Sequence, residues 1–114
     1  MAVQLDRAAI LENFMEDEEL LFESIDLFLE QIASRMANLK QGVEAADPDR
    51  FMPEAHTIKG MICIFSVGAA FEDAKKLELK GRNKITDGID QDFNALNGSL
   101  NDLIDALRDW RPVN

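Results

Sequence analysis

The sequence predicts an all-α protein, an up-and-down antiparallel four-helix bundle with a short N-terminal lid helix. Apolar residues recur at helical spacing almost throughout the 114 residues, and no stretch alternates apolar and polar residues as a half-buried strand would. The segments between the periodic stretches are short, as they are in antiparallel bundles. We expect a single domain, residues 1–114, large enough to bury a core without disulfides.

The N-terminal part of the chain predicts a short helix followed by a long one. The short helix covers residues 6–15 and carries apolar side chains suited to cover the bundle, namely Ile10, Leu11 and Phe14. The long helix runs from about Glu18 to Gln41, with Asp17 as its N-cap and Gly42 as its terminator. The predicted buried stripe of the long helix comprises Ile25, Phe28, Leu29, Ile32, Met36, Leu39 and Val43.

Two shorter helices are predicted in the middle of the chain. Asp47 and Pro48 suit the N-cap and the first position of the earlier one. Because Pro53 removes a backbone hydrogen bond inside this helix, we expect a kink or a restart there. The later helix spans about Ala69 to Lys80 and is closed by Gly81. Its predicted buried residues are Ala70, Phe71, Ala74 and Leu77.

The clearest helical periodicity lies near the C-terminus. Apolar positions there alternate steps of four and three residues: Ile89, Phe93, Leu96, Leu100, Leu103, Leu107 and Trp110. Asp87 or Asp90 is expected to cap the start of this helix, and Pro112 to end it. Gly98 lowers the helix propensity by about 1 kcal/mol relative to alanine. We expect Gly98 to permit a close approach of another helix.

The composition argues against several partners and sites. A net charge of −10 does not suit a protein that binds nucleic acid or an anionic membrane surface. There is no apolar run of the ~20 residues that a membrane span needs, and no secretory signal, so we expect a cytoplasmic protein. One histidine and one cysteine offer little toward the three or four converging ligands that a zinc site needs. Residues 87–92 depart from the EF-hand pattern, and glycine-rich nucleotide loops are missing, so no metal and no cofactor are expected.

The single histidine, His56, is the candidate functional residue. The helical spacing turns a stripe of apolar residues toward the core: Ala55, Ile58, Ile62 and Phe65. His56, Lys59, Gly60 and Cys63 fall on a second stripe, roughly 130–140° around the helix. An exposed imidazole is a nucleophile at neutral pH. Lys59 can offset the charge of a phosphoryl group, and Gly60 leaves room for a partner. Cys63 lies two turns from His56, about 10–11 Å between Cα atoms, too far for a direct dyad.

At these residues the chain resembles a known family. The run 56–60, His-Thr-Ile-Lys-Gly, is similar to the His-x-Leu/Ile-Lys-Gly motif of the histidine-containing phosphotransfer (HPt) domains of bacterial phosphorelays. Residues 74–78 resemble the segment of the family's fourth helix that ends in Leu-Glu. The resemblance implies that His56 takes a phosphoryl group on one ring nitrogen from a response-regulator aspartate and returns it. It also implies that Glu78 hydrogen-bonds the other ring nitrogen and so orients the ring.

The resemblance further implies a phosphoryl carrier without kinase activity of its own. Because a single accessible histidine works as a monomer, we expect a monomer. Its partners would be a response-regulator receiver domain, a histidine kinase, or both, and the receiver would supply the metal. Two alternatives remain open: the substrate domain of a chemotaxis-type histidine kinase, and a helical adaptor that docks partners without carrying phosphate. Lys59 and Gly60 argue against the adaptor, which needs neither beside the histidine.

The residues just beyond the motif depart from the family pattern. Met61 and Ile64 stand where the family usually has small polar residues or alanine. We expect both side chains to belong to the core, and the alternative is an apolar patch that selects a partner.

Overall fold

The computed structural model describes residues 5–110, and these residues form five helices. They are α1 Arg7–Asn13, α2 Glu18–Glu44, α3 Pro48–Cys63, α4 Ala69–Arg82 and α5 Ile89–Trp110. From α2 onward, each helix packs against the next one along the chain, and α5 closes the ring against α2. The most extensive contact joins α3 to α4. The predicted all-α bundle with a short N-terminal helix is therefore confirmed.

Aspartates cap the first three helices, as expected of residues whose short carboxylates reach a backbone amide. The Asp6 carboxylate accepts a hydrogen bond from Ala9 (3.0 Å), that of Asp17 from Leu20 (3.1 Å), and that of Asp47 from Asp49 (3.1 Å). Pro48 follows its cap at the first helical position, where the missing N–H has no partner to lose. These caps fix where α2 and α3 begin. Asp90, one of the two predicted caps of α5, lies inside the first turn of that helix rather than before it.

The core is one continuous cluster of apolar side chains from all five helices. The predicted inward stripe of α3 is confirmed, because its members are all buried: Ala55, Ile58, Ile62 and Phe65. Phe65 packs edge-on against Phe28 of α2, with ring centroids 5.3 Å apart, and stacks on Phe14 at 6.3 Å. Ile10 of α1 is buried in the same cluster. The short helix therefore covers the end of the bundle at which α3 finishes.

Two glycines that were predicted to end helices lie inside them instead. A Cβ atom on Gly42 would stand 2.9 Å from the amide nitrogen of Phe51, and one on Gly81 would stand 2.5 Å from the Cβ of Met52. The glycines therefore allow α2 and α4 to approach α3 more closely than any other residue would permit. Gly98, which was expected to have this role, has no neighbouring atom within 4 Å of a Cβ at its position.

Pro53 does not interrupt its helix. α3 is continuous from Pro48 to Cys63, so the predicted restart is wrong. Pro112, the predicted end of the last helix, lies outside the described residues. Among residues 5–110, no helix combines the length and the apolar character needed to cross a bilayer.

Candidate functional site

His56 lies on the outer face of α3, near the middle of the helix. Its side chain is 59% exposed, as the helical spacing predicts. Gly60 and Cys63, on the same stripe, are also exposed. Because the apolar stripe of α3 is anchored in the core, the position of the imidazole is set by the rigid bundle and not by a loop.

A buried carboxylate from α4 holds one edge of the imidazole. Glu78 is only 2% exposed, and its Oε2 lies 2.9 Å from Nδ1 of His56. An ionised carboxylate can only accept hydrogen bonds, so the proton of the contact belongs to Nδ1. Nε2 is then the unprotonated ring nitrogen, and no hydrogen bond to it is found among residues 5–110. The arrangement directs a lone pair away from the bundle.

Lys59 also contacts Glu78. Its Nζ lies 2.6 Å from Oε1 and 3.4 Å from Oε2, and its side chain is 24% exposed. Lys59 was expected to offset the charge of a phosphoryl group. In the unmodified protein it instead binds the carboxylate that holds the histidine. Its flexible stem allows the ammonium to turn outward.

Arg82 completes the group and was missed in the sequence. Its guanidinium donates to Oε2 of Glu78 at 3.1 Å, although more than half of the arginine side chain is exposed. The signal that could have revealed it is the spacing, since Arg82 follows Glu78 by one helical turn, at i+4. Three basic side chains, His56, Lys59 and Arg82, therefore converge on one buried carboxylate.

The pKa of Glu78 reflects this competition. Burial alone raises the pKa of the carboxyl, because it disfavours the charged form. Hydrogen bonds and positive charge from Lys59 and His56 act in the opposite direction and prevail, so the pKa of Glu78 lies below its ordinary value of 4.5. The carboxylate is ionised at neutral pH and acts as a fixed negative charge behind the ring.

Gly60 leaves open space one turn beyond the histidine. A Cβ at Gly60 would meet no atom within 4 Å outside its own helix. Packing within the protein therefore does not require the glycine at this position. Cys63 donates a hydrogen bond from its thiol to the Gly60 carbonyl at 3.2 Å and makes no described contact with His56.

An apolar groove lies beside the motif, between α2 and the C-terminal half of α3. It has a volume of about 490 Å³. Its apolar lining includes Phe14, Leu27, Phe28, Met61, Ile64 and Phe65. Met61 is half-buried against the core, but Ile64 is 45% exposed, so the prediction that it belongs to the core is wrong. The Ile64 side chain lines the groove.

A second buried charge cluster joins α4 to α5 and holds these two helices together. Asp92 is buried and pairs with Lys76 at 3.3 Å and Lys80 at 2.5 Å. Lys80 also donates to the Asp87 carbonyl at 2.9 Å and so ties down the loop before α5. Within residues 5–110, no group of three or more His, Cys, Asp or Glu side chains is placed to hold a metal ion.

Comparisons with known proteins agree with this architecture. Residues 23–110 match the family model of the Hpt domain. The fold is similar to the crystal structure of the HPT domain from the Hpt sensor hybrid histidine kinase from Shewanella, with a TM-score of 0.78 and 13% identity. That match covers 92% of this chain and 91% of the other, and at this identity it shows the fold alone. No curated protein sequence gives a significant match. Because the family match spans most of its length, the chain belongs to the Hpt domain family, the phosphotransfer domains of phosphorelays.

Proposed function

We propose that His56 accepts a phosphoryl group from the aspartyl phosphate of a response-regulator receiver domain and passes it on to another aspartate. The observation that carries this proposal is the contact between Nδ1 of His56 and the buried carboxylate of Glu78 at 2.9 Å. It fixes the tautomer of a half-exposed imidazole and leaves Nε2 free to attack. The protein acts as a carrier and contributes no kinase activity of its own.

The proposed reaction exchanges one bond to phosphorus for another. The lone pair of Nε2 forms the N–P bond, while the bond between phosphorus and the aspartyl oxygen breaks and its electron pair leaves with the carboxylate. The proton on Nδ1 stays in place, so the phosphorylated ring carries a positive charge. Glu78 stabilises this charge through the hydrogen bond that it already accepts. The reverse reaction follows the same path, as a carrier requires.

Lys59 and Gly60 have separate roles in this proposal. The Lys59 ammonium lies one helical turn from His56 and, once it turns outward from Glu78, contacts the equatorial oxygens of the phosphoryl group. Gly60 presents no side chain, so the receiver can bring its aspartate close to the ring. In this proposal the receiver supplies the metal ion.

The groove beside the motif suits a receiver domain as its occupant. On α3 the groove begins at Met61, about 1.4 turns from His56, and includes Ile64, about 12 Å from His56 along the helix axis. We expect a partner that covers the histidine to reach Ile64 as well. Between Arg7 and Arg35 the sequence has no lysine or arginine and eight acidic residues, Glu12, Glu16, Asp17, Glu18, Glu19, Glu23, Asp26 and Glu30. The receiver surface that docks here should therefore pair apolar side chains with basic ones.

A transfer assay tests the proposed function. Labelled phosphate should move from a phosphorylated receiver to this protein, and His56→Gln should abolish the label while leaving the helical circular dichroism unchanged. If no cognate receiver labels the unsubstituted protein and its binding to receivers survives His56→Ala, the protein is an adaptor. Label that comes only from an ATP-dependent kinase would identify it as a kinase substrate domain.

A further inference from the structure

The Lys59 ammonium group has two partners in this mechanism, the Glu78 carboxylate and the phosphoryl group on His56. In the unmodified protein its Nζ lies 2.6 Å from Oε1 of Glu78, a carboxylate that is 2% exposed. To contact a phosphoryl group on Nε2, at the opposite side of the ring from Glu78, the ammonium has to move away from Oε1. A buried carboxylate that loses its counterion is strongly destabilised. Until the N–P bond forms and the ring becomes positive, the movement of Lys59 therefore needs another cation to remain on Glu78.

Arg82 is placed to be that cation. It contacts Oε2, the oxygen that His56 also uses, whereas the shortest contact of Lys59 is with Oε1. The two cations therefore approach the carboxylate at different oxygens, and one can leave without displacing the other. Arg82 lies on α4, the helix that carries Glu78, one turn further on. It holds the carboxylate from its own helix while α3 carries the reacting groups.

We propose that Arg82 is a positioning residue for phosphotransfer, which neutralises Glu78 and so releases Lys59 to the phosphoryl group. The inference rests on the proposed function, since it assigns a role within the same site. With neutral His56, the resting charges of Glu78, Lys59 and Arg82 add to +1. When Lys59 turns outward, Glu78 and Arg82 form a neutral pair behind the ring. Without Arg82, the same movement before the N–P bond forms leaves only the N–H of a neutral imidazole against a buried negative charge.

The test uses the full chain with phosphoramidate as the phosphoryl donor, so that no receiver surface is involved. In this reaction the P–N bond of the donor breaks, ammonia leaves, and Nε2 of His56 takes the phosphoryl group. We expect Arg82→Gln to slow phosphorylation roughly tenfold, the factor for one lost charge-assisted hydrogen bond, and Arg82→Lys to restore most of the rate. Arg108→Gln is the matched control, because it removes the same charge from α5, diagonally across the bundle from α3.

A double-mutant cycle with Glu78→Gln isolates the mechanism. A neutral glutamine needs no counterion, so Arg82→Gln should change the rate less than twofold in that background. An equal loss of rate in both backgrounds would show that Arg82 acts on the phosphoryl group directly, and would overturn the inference. No loss in either background would overturn it as well.

A spectroscopic readout separates this role from a purely structural one. The ¹⁵N resonance of the Lys59 ammonium should shift on phosphorylation of the unsubstituted protein and shift much less in Arg82→Gln. An equal shift in both proteins would contradict the release of Lys59. These outcomes are distinct from failure of the proposed function, in which the unsubstituted protein would take no label from any receiver.

Discussion

Gly60 and Gly98 allow a direct test of whether the glycine beside His56 is there for a partner. Both lie in the interior of a helix, and a Cβ at either position would meet no atom within 4 Å outside that helix. In such positions, alanine is more favourable than glycine by about 1 kcal/mol, because the backbone loses less entropy on folding. We therefore expect Gly60→Ala and Gly98→Ala each to raise the free energy of unfolding by roughly that amount.

The stability gain should be visible by two methods. For a domain of this size, about 1 kcal/mol corresponds to a rise in Tm of about 4 °C in calorimetry. Urea titration should show a higher midpoint with an unchanged slope, since neither substitution alters the surface exposed on unfolding. The two variants should agree within about 0.5 kcal/mol, because both positions are equally open.

The two variants should differ in phosphotransfer. Gly98→Ala, on α5, should accept phosphate from a receiver at the unsubstituted rate. The rate should be lower for Gly60→Ala and lower still for Gly60→Gln, because each added atom stands where the receiver approaches. Phosphoramidate is small enough to reach Nε2 past either side chain, so its rate should stay within about twofold in all variants, as expected for unchanged chemistry at His56. If Gly60→Gln matched Gly98→Ala with a receiver, the role of Gly60 in clearance would be refuted.

Three further predictions concern other parts of the site. Gly81→Ala should lower the free energy of unfolding by about 1–3 kcal/mol in urea titration, since its Cβ would stand 2.5 Å from that of Met52 and push α4 away from α3; unchanged stability would contradict the close approach. Because the pKa of Glu78 is lowered in the folded state, its contribution to stability is present above the ordinary value of 4.5 and is lost as the pH falls through the folded-state pKa. The Tm of the unsubstituted protein should therefore fall more steeply below pH 4.5 than the Tm of Glu78→Gln. Parallel curves of Tm against pH would refute the lowered pKa. Ile64→Asp should slow transfer from a receiver roughly tenfold, as expected when one apolar interface contact is lost, and should leave the phosphoramidate rate unchanged. Ile85→Asp, at a similarly exposed position outside the groove, should have no effect on either rate.

The helical pattern predicted the fold well because burial in a bundle follows the helical period. The inward stripe of α3 and the caps Asp17 and Asp47 depend on residues two to four positions apart, and such local relations are visible in a sequence. Pro53 shows the limit of local rules: a kink or a restart was expected there, and α3 continues through it without a restart. Packing against α2 and α4 holds α3 together where propensity alone would interrupt it.

The glycines show why close helix contacts were not predictable. Gly42 and Gly81 were interpreted as helix ends, and Gly98 as the site of close approach, but Gly42 and Gly81 are the sites of close approach and Gly98 is not. A glycine in a helical pattern fits either interpretation, and the choice depends on what the neighbouring helix places opposite it. That neighbour is far away in sequence: Phe51 lies against Gly42, and Met52 lies against Gly81.

The sequence by itself determined that His56 stands on an outer stripe of a helix with Lys59 and Gly60, because these residues share one helix and its period places them. It did not determine what stands behind the ring. The contacts of Glu78 with His56 and Lys59 join α4 to α3, and they exist because the two helices pack closely enough to bury the carboxylate. The exposure of Ile64 was likewise set by the neighbouring helices, which leave a groove where the pattern predicted core. Spacing along a helix fixes direction, but only the packing of its neighbours decides which directions are buried, paired or open.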